Sequence, residues 1–122
     1  MSELILRDAT VADLPAILAM LAEDTIPANR EVDPSDPRYL AAFGAIDADP
    51  NQRLIAAELG GRVVGTMQLS FLPGLSFKGS LRGLIEAVRI VADLRGRKLG
   101  EQMILWAVEQ CRARDCKLVQ LT

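Results

Sequence analysis

The stretch Val88-Arg89-Ile90-Val91-Ala92-Asp93-Leu94-Arg95-Gly96-Arg97-Lys98-Leu99-Gly100, with Glu86 just upstream, decides how this chain folds. Its β-branched opening predicts a buried strand. The strand breaks into a basic turn carrying Gly96, and a helix opens at Lys98. Strand, turn and helix start in that order make a site for an anion. The first turn of a helix has backbone N–H groups without intrahelical partners, and the peptide dipoles add partial positive charge there. Glycine lets the backbone close on a phosphate, and Arg95, Arg97 and Lys98 add full charges. Three cations at a helix N-terminus oppose its dipole unless an anion sits among them. A diphosphate-bearing cofactor suits this turn.

Downstream, the predicted helix 98–114 has an apolar arc of Leu99, Met103, Ile104, Trp106, Ala107, Val108 and Cys111, with Glu101, Gln102, Glu109 and Arg112 turned outward. Asp115 ends it in a left-handed conformation, and 117–121 is a fifth strand. Upstream, 82–91 is the fourth strand, preceded by a loop, 73–80, that holds Phe77 and Lys78. Strands 53–59 and 63–72 form a hairpin about Gly60-Gly61. Leu4-Ile5-Leu6-Arg7 is a first strand. Thr10 and Asp13 form a capping box, and Leu14, Ile17, Leu18 and Leu21 follow at helical spacing. Pro15 predicts an irregular first turn. A proline-broken stretch, 25–37, leads into a second helix started by Asp36-Pro37, with Leu40, Phe43 and Ile46 on one side. The order β-α-α-β-β-β-α-β predicts an α/β (α+β) fold: a mixed, largely antiparallel central sheet flanked by helices, ending in a right-handed crossover.

At 122 residues the chain is read as a single domain, 1–122, long enough to bury a core. Half its residues are hydrophobic and a quarter charged, as in a globular protein. No apolar run approaches the ~20 residues of a membrane span, and the N-terminus lacks the cationic-then-apolar pattern of a secretory signal. A cytoplasmic location without a membrane partner is expected. A net charge of −2 argues against a nucleic-acid partner. Cys111 and Cys116 do not have zinc spacing and there is no histidine, so no metal site is expected and both are read as free thiols in or near the core. Without histidine, Ser-His and Cys-His chemistry is excluded. The proton acceptor must be a carboxylate, a tyrosine, a thiolate, water or backbone. Strand alternation puts Glu86 on one face with Leu84, Val88 and Ile90, and Arg89 on the other. Desolvation among those aliphatic side chains raises a carboxyl pKa toward the working range of a general base.

The element order, with Arg95-Gly96-Arg97-Lys98-Leu99-Gly100 after the fourth strand, resembles the GNAT superfamily of N-acetyltransferases over essentially the whole chain. The family signature at this helix is glutamine or arginine, two residues, glycine, one residue, then glycine or alanine. Arg95 and Gly100 fit its ends, and Lys98 stands where the middle glycine usually is. The resemblance implies an acyl-CoA N-acyltransferase-like fold with acetyl-CoA as co-substrate. Backbone groups of Val88, Ile90 and Val91 would meet the pantetheine arm between splayed fourth and fifth strands. Arg95, Gly96, Arg97, Lys98, Leu99 and Gly100 would hold the diphosphate. Glu86 matches an acid that part of the family carries on this strand and would be the general base, acting through water. A strand N–H, that of Ile90 or a neighbour, would meet the oxyanion. The acceptor would be a primary amine of a small molecule or a peptide, attacking directly. Glu23, Asp24 and Arg30 lie where the family shapes its acceptor pocket. The family usually continues past the fifth strand with a further helix and strands and a tyrosine near the cofactor sulfur; here the domain is C-terminally short. A homodimer is one way to cover the fifth strand's edge.

Two other classes compete with an enzyme: a non-catalytic acyl-CoA-binding or regulatory domain of the same fold, and a small interaction domain with no ligand. Tyr39, the single tyrosine, is a candidate lining residue.

Overall fold

The computed structural model describes residues 3–23 and 33–122. Five strands lie in the spatial order of the chain: β1 (Leu4–Asp8), β2 (Gln52–Leu59), β3 (Arg62–Pro73), β4 (Leu81–Ile90) and β5 (Leu118–Leu121). The first four pair antiparallel, and β5 joins β4 in parallel after the helical crossover. Helices α1 (Leu14–Ala22) and α2 (Pro37–Ala48) belong to one face of the sheet, and α3 (Leu99–Ala113) covers the other. The sheet is therefore mixed and largely antiparallel, as the element order requires, and each predicted strand boundary falls within one residue of the observed one.

Local chemistry explains the helix starts. The Thr10–Asp13 capping box forms, and Arg7 donates to both carboxylate oxygens of the buried Asp13, at 2.7 and 3.0 Å. Pro15 in the first turn leaves Val11–Asp13 as a 3₁₀ turn, with the α-helix beginning at Leu14. Asp36 caps α2 by accepting from the Arg38 N–H at 2.9 Å. Leu40 does not share the inner side of that helix: it is 57% exposed, while Phe43 packs against the α1 cluster. Most of the proline-broken stretch lies outside the described residues.

Two sheet glycines set the height of α3. Its inward stripe is Leu99, Met103, Ala107 and Cys111, one residue every four, all buried. A Cβ built on Gly65 would stand 2.9 Å from Met103 Sδ, and one on Gly83 would collide with Cys111 Sγ. Bare backbone at these two points lets the helix sit close. Asp115 ends α3 with φ of 65°. The Cys116 N–H returns to the Cys111 carbonyl at 3.0 Å and the Asp115 N–H to Arg112 at 3.0 Å, the paired bonds of a Schellman stop. Cys111 and Cys116 make the apolar contact that accompanies it. Both are free thiols, and burial raises each above the ordinary thiol range, Cys111 to about 11.

One departure matters for function. Gln68 pairs with Glu86 and Thr66 with Arg89, so β4 carries one more residue than β3 across this interval. Ala87 adopts φ of 55°, the mark of a β-bulge. The extra residue inverts the alternation beyond it. Ile85, Val88 and Ile90 pack with the α3 cluster, and Val91 packs with the α1 cluster. Glu86 therefore does not share a face with Val88 and Ile90, and Arg89 lies on the Glu86 side. Period-two reading fails at a bulge because the inserted residue costs no change in composition.

Candidate active site

The turn between β4 and α3 has the geometry of an anion cradle. A 3₁₀ turn, Ala92–Leu94, leads from the strand; Gly96 follows with φ of 85° and Lys98 with φ of 63°. Lys98 is the N-cap of α3 and its side chain makes no capping bond. The first bond of the helix runs from the Gln102 N–H to the Lys98 carbonyl at 3.2 Å. The N–H groups of Leu99, Gly100 and Glu101 consequently have no partner within the helix. Leu99 is buried and anchors the turn, while Arg95, Gly96, Arg97 and Lys98 are exposed around it. A groove of about 410 Å³ is bounded by Ile90, Leu94, Arg95, Gly96, Lys98, Leu99 and Gly100. Beyond its chain neighbours and the helix's own backbone, no atom of the described residues lies within 4 Å of where a Gly100 Cβ would stand. Packing within the chain does not demand a glycine there, and its smallness keeps the helix end open.

The three cations are not equivalent. Arg95 donates to Glu23 Oε2 at 3.0 Å and to the Ile90 carbonyl at 3.3 Å. Both members of that ion pair are about half exposed, so it is weak and exchangeable for another anion. Arg97 and Lys98 make no salt bridge with a described residue. Asp93, next in the turn, is held by Arg62 at 3.0 Å, and that pairing lowers its pKa.

The edge of β4 beyond Ile85 is free of strand pairing. Its register with β5 covers Arg82 to Ile85 alone. The Val91 N–H goes to the Val64 carbonyl at 2.9 Å and its own carbonyl accepts from Leu94. Both backbone groups of Val91 are therefore engaged. Alternation turns those of Ile90 away from β3. The carbonyls of Val88 and Ile90 accept from arginine side chains, those of Arg89 and Arg95. That edge runs straight into the cradle.

Glu86 is half-buried on the α1–α2 face, directly opposite Gln68 of β3. The Gln68 carboxamide and the Ser70 hydroxyl both donate to Gln52 Oε1 at 2.9 Å, so the carboxylate has a polar neighbour as well as Leu84. Beside it, a groove of about 160 Å³ opens between the helices. Leu14, Ile17, Leu18 and Leu21 of α1 form one wall, Tyr39, Ala42, Phe43 and Ile46 of α2 the other, and Leu54 and Gln68 the floor.

The structure thus brings Glu86, Val88, Ile90 and the 95–100 turn to one end of β4, with the bulge separating the carboxylate from the edge carbonyls. Glu23 reaches Arg95, while Asp24 and Arg30 lie outside the described residues. Phe77 and Lys78, at φ of 52° and 61°, form an exposed left-handed turn at the other end of β4. Sequence reasoning did not find Gln68 or the α1–α2 groove. Tyr39 and the leucine stripe of α1 were the available signals, but a stripe alone does not reveal that α2 stands off from it. No helix among the described residues is long and apolar enough to cross a membrane.

Comparison with known proteins places the chain in a family. The family model for the acetyltransferase (GNAT) family matches residues 17–122. An aminoalkylphosphonate N-acetyltransferase of Salmonella typhimurium is 29% identical over 117 residues, 96% of this chain and 72% of that protein. A crystal structure from Bacillus halodurans C-125, described as a transcriptional regulator, superposes with a TM-score of 0.89 at 37% identity, covering 98% of this chain and 81% of the other. A structure from Clostridium acetobutylicum, described as a predicted acetyltransferase with acetyl-CoA, shares the fold at a TM-score of 0.74 and 18% identity, covering 98% and 80%. With the family model spanning most of its length, the chain belongs to the GNAT acetyltransferase family.

Proposed function

We propose that this protein transfers the acetyl group of acetyl-CoA to a primary amine. The observation that carries the proposal is the continuous path from the strand-free edge of β4 into a helix N-terminus whose first amides have no partner within the helix. The donor set fits the molecule: backbone N–H groups of Leu99, Gly100 and Glu101 with the side chains of Arg97 and Lys98 for the diphosphate, and for the amide-bearing arm the strand-free edge at Val88 and Ile90, whose carbonyls the arm would share with or take over from Arg89 and Arg95. Arg95 joins them when it leaves Glu23. Acetyl-CoA supplies a thioester, an acyl group already activated for attack.

The chain's own residues then orient and deprotonate. An amine is protonated at neutral pH and must lose a proton to attack. Glu86 lies on β4 itself, on the α1–α2 face two residues before Val88, and takes that proton through water. The nitrogen–carbon bond forms as the carbon–sulfur bond breaks, the electron pair stays on sulfur, and the second nitrogen proton balances the leaving thiolate. The Ile90 N–H faces the edge and stabilises charge developing on the acyl oxygen.

Glu86→Gln is the test. General bases contribute roughly 10²–10⁴ in rate, so kcat for thiol release should fall at least a hundredfold while CoA affinity holds. Wild-type turnover in the variant removes Glu86 from the mechanism. CoA binding without thiol release on any amine assigns the chain to the non-catalytic acyl-CoA-binding class.

A further inference from the structure

In the free protein the Arg95 guanidinium stands in the path that CoA would take. We propose that Arg95 is a strap across the mouth of the cofactor groove, tied down by Glu23, so that Glu23 acts as a built-in competitor of the cofactor's phosphates. The inference rests on the transfer reading above and deepens it by assigning how that site opens.

Three observations carry it. Ile90 and Arg95 bound the same groove of about 410 Å³, and the Arg95 Nε–H donates to the Ile90 carbonyl at 3.3 Å. The guanidinium therefore lies at the junction between the strand-free edge of β4 and the N-terminus of α3, where the arm and the diphosphate of one CoA molecule would meet. The other end of the same planar group is held as well: its Nη2 donates to Glu23 Oε2 at 3.0 Å, across 72 positions of chain. Two donors of one rigid fork thus tie the sheet to the end of α1, and the fork's pose is fixed by both. The third observation is the sign and origin of the partner. Asp93, the carboxylate of the turn itself, is gripped by Arg62 through two bonds of 3.0 Å. Glu23 comes from a different element and neutralises a cation of the cradle.

The side chains of Arg95 and Glu23 are 52% and 45% exposed, so the tie is made close to water and opens readily. Strap and cofactor compete for one guanidinium. CoA binds the fraction of molecules in which Arg95 has swung off, and its apparent affinity is lowered by that fraction. The linkage is reciprocal: a bound diphosphate releases Glu23, and a cation that takes Glu23 releases the strap.

The test is a double-mutant cycle on CoA affinity, measured by calorimetric titration at low salt, with Glu23→Gln, Arg95→Gln and both together. Glu23→Gln should tighten CoA binding about two- to fivefold, the worth of an exposed ion pair, and should change nothing in the Arg95→Gln background. In Glu23→Gln without ligand, the Arg95 Nε–H resonance should move toward its position in the CoA complex. A gain of equal size in both backgrounds means that Glu23 repels the phosphates through space, and overturns the strap. So does an absent gain, or an unmoved resonance. All three results leave the transfer reading intact. If no form binds CoA, the transfer reading fails, and the same cycle with inorganic pyrophosphate decides the strap by the same criteria. If neither ligand binds, cradle and strap fall together. Should Arg95→Gln not fold, Arg95→Ala takes its place in the cycle.

Discussion

Lys98 is the position at which strain and charge can be separated. It occupies the middle glycine site of the family signature and holds φ of 63° and ψ of 20° at the N-cap of α3. A side chain in the left-handed region costs about 1–2 kcal/mol. Its positive charge at a helix N-terminus costs about 0.3–1 kcal/mol more in the absence of an anion. Lys98→Ala removes only the charge. Lys98→Gly removes both, though glycine's extra freedom in the unfolded chain returns about 0.5–1 kcal/mol. The glycine variant should therefore exceed the alanine variant in stability by about 0.5–1 kcal/mol, and exceed the wild type by about 1 kcal/mol, near 4 °C in Tm for a chain of this size. Toward CoA the wild type should bind tighter than both variants, and the two variants should be equal. Both variants lose one exposed charged contact, worth about 1 kcal/mol after solvent screening, or about fivefold in Kd. Denaturant melts without ligand and calorimetric titration of CoA at two salt concentrations measure both quantities, and the affinity loss should shrink at high salt. Equal stability of the two variants would refute the strain argument. Undiminished CoA affinity in both would remove Lys98 from the cradle.

Two further perturbations test the scaffold that aims the site. Gly83→Ala drives a methyl group into Cys111 Sγ and Cβ, the latter 3.2 Å away; overpacking of this kind costs about 1–3 kcal/mol, and urea melts should show it, whereas an unchanged midpoint means that α3 does not sit as close as described. The Arg7 guanidinium holds the Asp13 carboxyl at about 2, below its ordinary 3.8. A depressed folded-state value gives stability that is present above pH 4 and fades as pH falls toward 2, about 2 kcal/mol in all. Asp13→Asn should flatten the stability profile across that window, and a profile that stays equally steep contradicts the assignment.

Much of this architecture was legible because local signals and tertiary demands coincide. Asp36-Pro37 caps the helix it announces, Gly60-Gly61 turns the hairpin, and Leu99, Met103, Ala107 and Cys111 mark the buried stripe of α3. The cradle was legible for the same reason: strand, glycine and cations are adjacent in sequence. What escaped depends on position in space. The bulge at Ala87 moves Glu86 and Arg89 to one side and Val88 and Ile90 to the other, and an alanine carries no sign that its backbone is left-handed. The Arg95–Glu23 pair joins residues 72 positions apart, and the α1–α2 groove is bounded by side chains of two helices and two strands that are far apart in sequence. Distant partners of this kind have no local composition to announce them.

The α3 N-terminus as the diphosphate site is the claim on which the rest depends, and a crystal structure with CoA bound measures it directly. The account predicts diphosphate oxygens at hydrogen-bond distance, about 2.7–3.2 Å, from the N–H groups of Leu99, Gly100 and Glu101, with the Arg95 side chain released from Glu23 and turned toward the phosphates. Density for CoA elsewhere on the protein, with that helix end bare and Arg95 still on Glu23, would contradict it.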